Sequence, residues 1–167
     1  MGFKIFSLDE AHFVIKPYLT KGIFLKGSKP IIETIHTKER RSVFGALSEN
    51  EFSAQMTEEK CNSQTYLRFL KSLLRKYDKI LIVIDGAKYH FEKTLVKPIY
   101  EKNKHRLKVM QLPAYSPELS PVEQTWKKIK KFLAITPWSN ETQFELKLAE
   151  TLNNPFFMTK MYQYYLR

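Results

Sequence analysis

Five consecutive apolar residues, Ile80–Ile84, constrain the fold of this chain more than any other stretch. A strand without a polar position is buried on both faces, which is typical of the centre of a sheet covered by helices. Before it, residues 62–77 carry apolar side chains at spacings of three and four, the pattern of an amphipathic helix. After it, we expect a helical segment at 90–103, kinked or split at Pro98, and a strand at 107–112. This alternation predicts an α/β fold.

The first fifty residues predict a different arrangement. Residues 3–8, 22–27 and 42–48 are rich in strand formers, and a further short strand is expected at 31–37. Together these segments predict an antiparallel meander that joins the later strands in a mixed five-stranded sheet, with helices on both faces. The core is expected to span about 3–135, followed by a helical tail at about 138–167, within a single domain of residues 1–167.

Residues 111–132 turn through three prolines and then enter a second amphipathic helix. Ser120, Pro121 and Glu123 are expected at its N-cap, first and third positions, and proline suits the first position because it lacks an N–H. The same Ser-x-x-Glu spacing is a capping box, in which Glu123 would only cap the helix. From the residues alone that structural alternative stays open.

Acidic residues lie at the ends of the predicted elements. Asp9 follows the first strand, Asp85 follows the buried strand, and Glu123 lies on the first turn of the late helix. If the strands that precede Asp9 and Asp85 are neighbours, both aspartates lie at the same end of the sheet. Glu10 points to the opposite face of its strand from Asp9. Mg²⁺ takes one or two carboxylates and leaves its other positions to water and phosphate. A divalent-metal site is therefore predicted, with His90 as an auxiliary that contacts a scissile phosphate or orders a water, or as a structural histidine.

Charge indicates the partner. Lys and Arg outnumber Asp and Glu by 28 to 17, for a net charge of +11, which favours a polyanion such as nucleic acid. The single cysteine excludes an internal disulfide framework and a cysteine-based zinc site. No apolar run approaches the roughly 18 residues of a membrane span, and the start does not resemble a signal peptide, so a cytoplasmic protein is expected. The leading DNA-binding candidates lie on the polar faces of the late helix: Lys127, Lys128, Lys130 and Lys131.

Four motifs carry a family resemblance: Leu-Asp-Glu-Ala-His-Phe at 8–13, Val-Phe-Gly-Ala-Leu at 43–47, Ile-Asp-Gly-Ala-Lys-Tyr-His at 84–90, and the long motif at 112–130. In this order they resemble the DDE transposases, most closely the mariner superfamily and its prokaryotic insertion-sequence relatives. The resemblance spans roughly 3–135. It implies an RNase H-like fold, two Mg²⁺ or Mn²⁺ ions, and DNA strand cleavage and strand transfer in cut-and-paste transposition. By motif, Asp9, Asp85 and Glu123 take the three catalytic positions.

The chain also departs from the family pattern. Gly86 stands where relatives commonly have Asn, Phe24 stands where they often have Trp, and 37 residues separate Asp85 from Glu123. Nothing before Phe3 forms the helix-turn-helix module that normally recognises the element ends. We therefore expect a catalytic half that acts on element ends and target DNA as a homodimer. It would be a separately coded frame working with a helix-turn-helix subunit, a truncated chain or a decayed copy, and the sequence leaves these alternatives open. It would be nucleoid-associated, or nuclear in a eukaryote.

The sequence leaves another class of function open. A catalytically inactive module for DNA binding or assembly, descended from such an enzyme, would share the fold and the basic charge. The three retained acids favour the enzyme. A nuclease for RNA–DNA hybrids is a third alternative on the same fold, against which the 112–130 motif argues.

Overall fold

The computed structural model describes residues 2–15, 23–29, 31, 37–114, 116–161 and 163. Within this part of the chain a five-stranded mixed sheet forms the scaffold, in the spatial order β3-β2-β1-β4-β5. Its strands are β1 (Lys4–Val14), β2 (Arg40–Leu47), β3 (Phe52–Thr57), β4 (Ile80–Ile84) and β5 (Leu107–Gln111). The predicted mixed five-stranded sheet is confirmed.

Strand direction changes at the middle of the sheet. β1 is antiparallel to β2 and parallel to β4, while β2–β3 is antiparallel and β4–β5 is parallel. Helix α1 (Ser63–Lys76) connects β3 to β4, and α2 (Val96–Lys102) lies between β4 and β5. Helices α3 (Pro121–Ala134) and α4 (Glu141–Asn153) follow β5. None of the helices in the described part of the chain is long and apolar enough to cross a membrane.

Each face of the sheet buries its own apolar cluster. Phe6 and Leu8 of β1 pack with α1, whereas Ala11 and Phe13, further along the same strand, pack with α3 and α4. Side chains alternate along a strand, so β1 contributes to both clusters. Burying each large apolar side chain contributes roughly 1.5–3 kcal/mol, and helices on both faces are thereby held to one sheet.

Helix α1 begins where its sequence supplies a complete capping box. The Asn62 side chain accepts hydrogen bonds from the backbone N–H groups of Gln64 and Thr65, at 2.9 and 3.0 Å. The Thr65 hydroxyl accepts one in return from the Asn62 N–H at 2.9 Å. Basic residues in the last turn complement the helix dipole. The capping contacts explain why the helix starts one residue after Asn62.

Several predictions about the elements are corrected. β1 does not stop before Asp9 but continues to Val14, and it is the middle strand of the sheet. The described part of the strand predicted at 22–27 lies in coil and turn, where Gly27 adopts a positive φ of 87°. The strand predicted at 31–37 falls largely outside the described residues. β3 was not predicted, although Phe52–Thr57 alternates apolar and polar residues as a half-buried strand does, and it pairs with β2.

The later elements follow the sequence pattern more closely. The segment expected at 90–103 is divided into a 3₁₀ turn, Lys88–Phe91, and helix α2, with Pro98 in the first turn of α2, where a missing N–H costs little. Helix α4 confirms the first part of the expected tail. Beyond it the described residues contain a short 3₁₀ turn, Pro155–Phe157.

Candidate active site

Asp9 and Asp85 meet where β4 ends beside β1. The parallel register pairs Ser7 of β1 with Val83 of β4, so two positions further along the two aspartates are neighbours. Asp9 therefore lies within a strand that continues past its partner, while Asp85 lies at the point where its strand turns away. The sequence-based expectation that both aspartates reach the same end of the sheet agrees with this geometry.

Glu123 reaches the same place from helix α3. Ser120 is the N-cap and Pro121 occupies the first turn, as predicted, but the Ser120 side chain makes no capping hydrogen bond. Its hydroxyl oxygen instead lies 3.3 Å from that of Ser7 on β1, which ties the start of the helix to the sheet. The structural alternative for Glu123 was a capping box, and the part of it that Ser120 would supply, a side-chain cap of the helix, is absent. The first turn presents Glu123 to the space above β1.

Asp9, Asp85 and Glu123 line one cavity of about 350 Å³. The wall between them comes from the turn after β4 and from the loop that leads into α3, including Gly86, Pro113 and Ser120. Three acids separated in sequence are therefore brought to one concave surface at the end of the parallel strands.

The acids differ in their electrostatics. Burial, together with the negative charges of Glu10, Glu123 and Asp85, raises the pKa of Asp9 from 3.8 to about 7. The close contact with the His90 ring, helped by the hydrogen bond from the Ala87 N–H, instead lowers the pKa of Asp85. The ionised form of Asp9 is therefore unfavourable in the folded protein at neutral pH. A cation bound beside it would reduce this free-energy cost.

His90 lies beneath Asp85 and not on the cavity surface. Its side chain is fully buried, with Nε2 2.7 Å from Oε1 of Glu10 and Nδ1 2.9 Å from Oδ1 of Asp85. The Nδ1 contact is an ion pair, since the ring N–H is not directed along it. Burial lowers the pKa of His90, but the two carboxylates outweigh burial and raise it to about 9. His90 is placed to hold Asp85 from below, and it is too deep to touch a phosphate in the cavity.

Glu10 behaves as its strand position predicts. It faces away from Asp9, on the α1 side of the sheet, and its side chain is only 8% exposed. The contact with His90 nevertheless connects it to Asp85. Sequence reasoning missed this connection because the two partners are 80 residues apart.

Two further side chains adjoin the aspartates. The indole Nε1 of Trp126 donates a hydrogen bond to Oδ2 of Asp9 at 3.1 Å, whereas the sequence pattern indicates only that Trp126 belongs to an apolar stripe. Gly86 leaves room for the side-chain amide of Gln111: a Cβ at Gly86 would lie 2.7 Å from its Nε2. An amide therefore stands beside position 86 even though the residue there is glycine.

The donor set of the cavity suits a hard divalent cation. Within the described residues, no three His, Cys, Asp or Glu side chains stand close enough to ligate one ion together. Mg²⁺ requires fewer, since one or two carboxylates suffice when water and phosphate oxygens complete its octahedron. The carboxylates of Asp9, Asp85 and Glu123 around one cavity, with the raised pKa of Asp9, fit this requirement.

The predicted DNA-binding lysines are spread around α3. Lys127 and Lys130 lie four and seven residues after Glu123 and share its face of the helix. The ammonium group of Lys130 lies 5.7 Å from the Phe13 ring centroid. Lys128 points elsewhere, donating a hydrogen bond to the Met158 carbonyl at 3.2 Å. The structure thus places Lys127 and Lys130 nearer the cavity side than Lys128.

Comparison with known proteins identifies the family. A model of the DDE superfamily endonucleases matches residues 4–145, which is most of the chain. No curated protein matches.

Solved structures share the fold. The Mos1 mariner paired end complex with Mn superposes with a TM-score of 0.74 at 16% identity, over 96% of this chain and 52% of that one. The Mos1 mariner paired end complex with Mg superposes with a TM-score of 0.71 at 16% identity, over 97% of this chain and 51% of that one. The catalytic core domain of BIV integrase superposes with a TM-score of 0.52 at 12% identity, over 99% of this chain and 95% of that one. The chain spans about half the length of the Mos1 chains it matches, and the predicted RNase H-like fold is confirmed.

Proposed function

Because the chain belongs to the DDE superfamily endonucleases, we propose that it is a transposase catalytic domain that cleaves and joins DNA strands with Mg²⁺ or Mn²⁺. The observation that carries the proposal is the cavity shared by Asp9, Asp85 and Glu123 at the end of the parallel strands. The likeness in fold to Mos1 complexes that contain DNA ends and Mn or Mg supports the choice of substrate and metal.

Asp9, Asp85 and Glu123 would together hold the proposed two metal ions. When bound, such ions supply Lewis acidity that activates an attacking oxygen and stabilises the leaving oxygen of an in-line displacement. The protein contributes geometry. His90 holds Asp85 from below, and the bond between Ser120 and Ser7 fixes the turn that carries Glu123.

The reaction proceeds in two steps at this cavity. Water attacks a phosphodiester at the end of the element, and the bond to the 3′ oxygen breaks to leave a 3′-hydroxyl. That hydroxyl then attacks a phosphodiester of the target DNA, whose own P–O3′ bond breaks to release a target 3′-hydroxyl, and the element is joined to its new site. Both steps exchange one P–O bond for another and need the phosphate held in line.

Positive charge would bring the DNA to the site. The net charge of +11 favours the phosphate backbone, and Lys127 and Lys130 extend from the Glu123 face of α3. Lys128 and Lys131 complete the proposed basic surface. A homodimer and a separate helix-turn-helix subunit for end recognition belong to the same proposal, as does action at the nucleoid or in the nucleus.

Plasmid nicking tests the proposal. Asp9→Ala, Asp85→Ala and Glu123→Ala should each abolish nicking of supercoiled DNA in Mn²⁺, while circular dichroism shows a folded chain. Glu118→Ala, which changes an acid five residues before Glu123, should remain active. An active Glu123→Ala with an inactive Glu118→Ala would show that the third acid is misassigned. DNA binding without any metal-dependent nicking by the parent would instead identify an inactive DNA-binding module.

A further inference from the structure

We propose that Trp126 is a positioning residue for Asp9, and that position 45 is glycine so that the indole can reach it. The inference rests on the proposed metal-dependent function and deepens it, since it concerns how the first acid of the site is held. Gly45 of β2 carries no side chain, and this leaves a gap on the face of the sheet that α3 covers. Asp9 of β1 and Gly45 of β2 are directly opposite each other in the antiparallel ladder.

The gap at Gly45 is filled by the Trp126 ring. A Cβ at position 45 would lie 2.5 Å from both Cη2 and Cζ2 of the indole, and 2.8 Å from the Phe52 ring. Such contacts are too short, so even alanine would displace the indole or the Phe52 ring. Glycine within a strand weakens the strand and often marks a close approach by another group. Here the group is the indole, which lies against the backbone of β2 beside Asp9.

Two aromatic contacts fix the direction of the ring. Phe13 and Phe52 both meet it edge-on, with centroid distances of 6.1 and 5.3 Å and interplanar angles of 75° and 72°. Trp126 is 2% exposed, so its N–H must find a partner inside the protein. The partner is Oδ2 of Asp9, at 3.1 Å. An apolar core residue would need no such partner, and phenylalanine would satisfy the packing alone.

The hydrogen bond has a consequence for the cavity. It holds one carboxylate oxygen of Asp9, which restricts the rotation of the group and hence the direction in which it meets a ligand. Trp126 lies three residues after Glu123 on α3, so one helix both supplies an acid and holds another. A carboxylate held in this way binds a metal better than a free one, because partners that orient ligands contribute about 10- to 100-fold to metal affinity.

Fluorescence tests the contact without metal. The chain has two tryptophans, so Trp138→Phe leaves Trp126 as the single emitter. In that background, Asp9→Ala removes the acceptor and should shift the emission maximum, whereas Glu123→Ala, in the same cavity, should not. Equal emission from the Asp9→Ala chain and its Trp138→Phe parent would overturn the proposal.

Calorimetry tests the positioning role. Trp126→Phe keeps a ring over Gly45 and removes the N–H, and it should weaken Mn²⁺ binding about tenfold or more while the chain stays folded. Phe52→Leu is the matched control, since it removes one ring contact from the same indole but keeps the N–H, and its Mn²⁺ affinity should stay near that of the parent. Equal losses in both variants, or none in Trp126→Phe, would overturn the positioning role alone. Absence of Mn²⁺ binding in the parent would overturn the proposed function and this role together.

Discussion

Replacing Asp9 by Asn should stabilise the metal-free protein by about 4 kcal/mol at pH 8. The pKa of Asp9 is raised from 3.8 to about 7, chiefly by burial and by the charge of Glu10. Each pKa unit corresponds to about 1.4 kcal/mol, so a fully ionised Asp9 costs the folded state about 4 kcal/mol. Asn carries no charge, and its carbonyl oxygen still accepts the hydrogen bond from Trp126.

The sign of the pH dependence follows from the direction of the shift. The folded state binds the Asp9 proton more tightly than the unfolded chain, so stability falls as pH rises from about 4 to about 7. At pH 5 only part of this cost has accumulated, about 2 kcal/mol. The advantage of Asp9→Asn should therefore be about 2 kcal/mol smaller at pH 5 than at pH 8.

Urea unfolding followed by circular dichroism, at both pH values and with EDTA, measures this difference. Asp85→Asn is the control, because the pKa of Asp85 is lowered by its contact with His90, so loss of that charge should reduce stability. Saturating Mg²⁺ should raise the stability of the parent more than that of Asp9→Asn, since the metal binds only the folded site. An Asp9→Asn protein no more stable than the parent at pH 8, or an advantage independent of pH, would refute the reasoning.

Three further outcomes are expected. Glu10→Gln leaves the buried His90 with one anionic partner and should lower the free energy of unfolding by about 3 kcal/mol at pH 6. Because the folded pKa of His90 is about 9 against 6.5 ordinarily, its stabilisation is complete below about pH 6.5 and lost as pH rises through 9, so urea melts at pH 6 and 10 should show the deficit shrinking. Asn62→Ala should cost about 1 kcal/mol in the same assay and Asn62→Ser much less, since serine also caps helices. The last change replaces four lysines of α3 by Gln: Lys127, Lys128, Lys130 and Lys131. The slope of log K for DNA against log salt, measured by fluorescence anisotropy, should then become shallower by about 0.9 for each phosphate that the protein no longer neutralises. An unchanged slope would show that these lysines are not part of the DNA interface.

Elements with strong periodicity were predictable from the sequence. The apolar run of β4 and the amphipathic patterns of α1 and α3 match the structure because burial on both faces, or on one face of a helix, leaves a direct trace in residue order. The prediction for β1 is too short because Glu10 and His12 break its apolar run. They lie on a strand all the same, paired with Phe44 and Ser42 of β2. β3 was missed although its sequence alternates apolar and polar residues over 52–57, because the run is short and contains the weak strand formers Ser53 and Ala54.

The acids of the cavity could be found from the sequence, but their supports could not. Asp9 and Asp85 follow apolar runs that become neighbouring strands, and such a position can be recognised from the order of the residues alone. The contacts of His90 with Glu10, and of Trp126 with Asp9, join residues 80 and 117 positions apart. No spacing rule connects them, because they depend on which helix face meets which strand.

The distance along the chain between Asp9 and Trp126 also has a meaning for synthesis of the protein. Contacts between residues 117 positions apart form only after most of the chain is available, since closing such a loop costs entropy that other contacts must first offset. A ribosome therefore releases the strand that carries Asp9, and later the strand that leads to Asp85, well before α3 exists. The proposed nuclease stays inert on the nascent chain until its last acid has emerged and docked. Because the acids are divided between the first strand and α3, the cavity that they line is completed only after α3 has formed and docked.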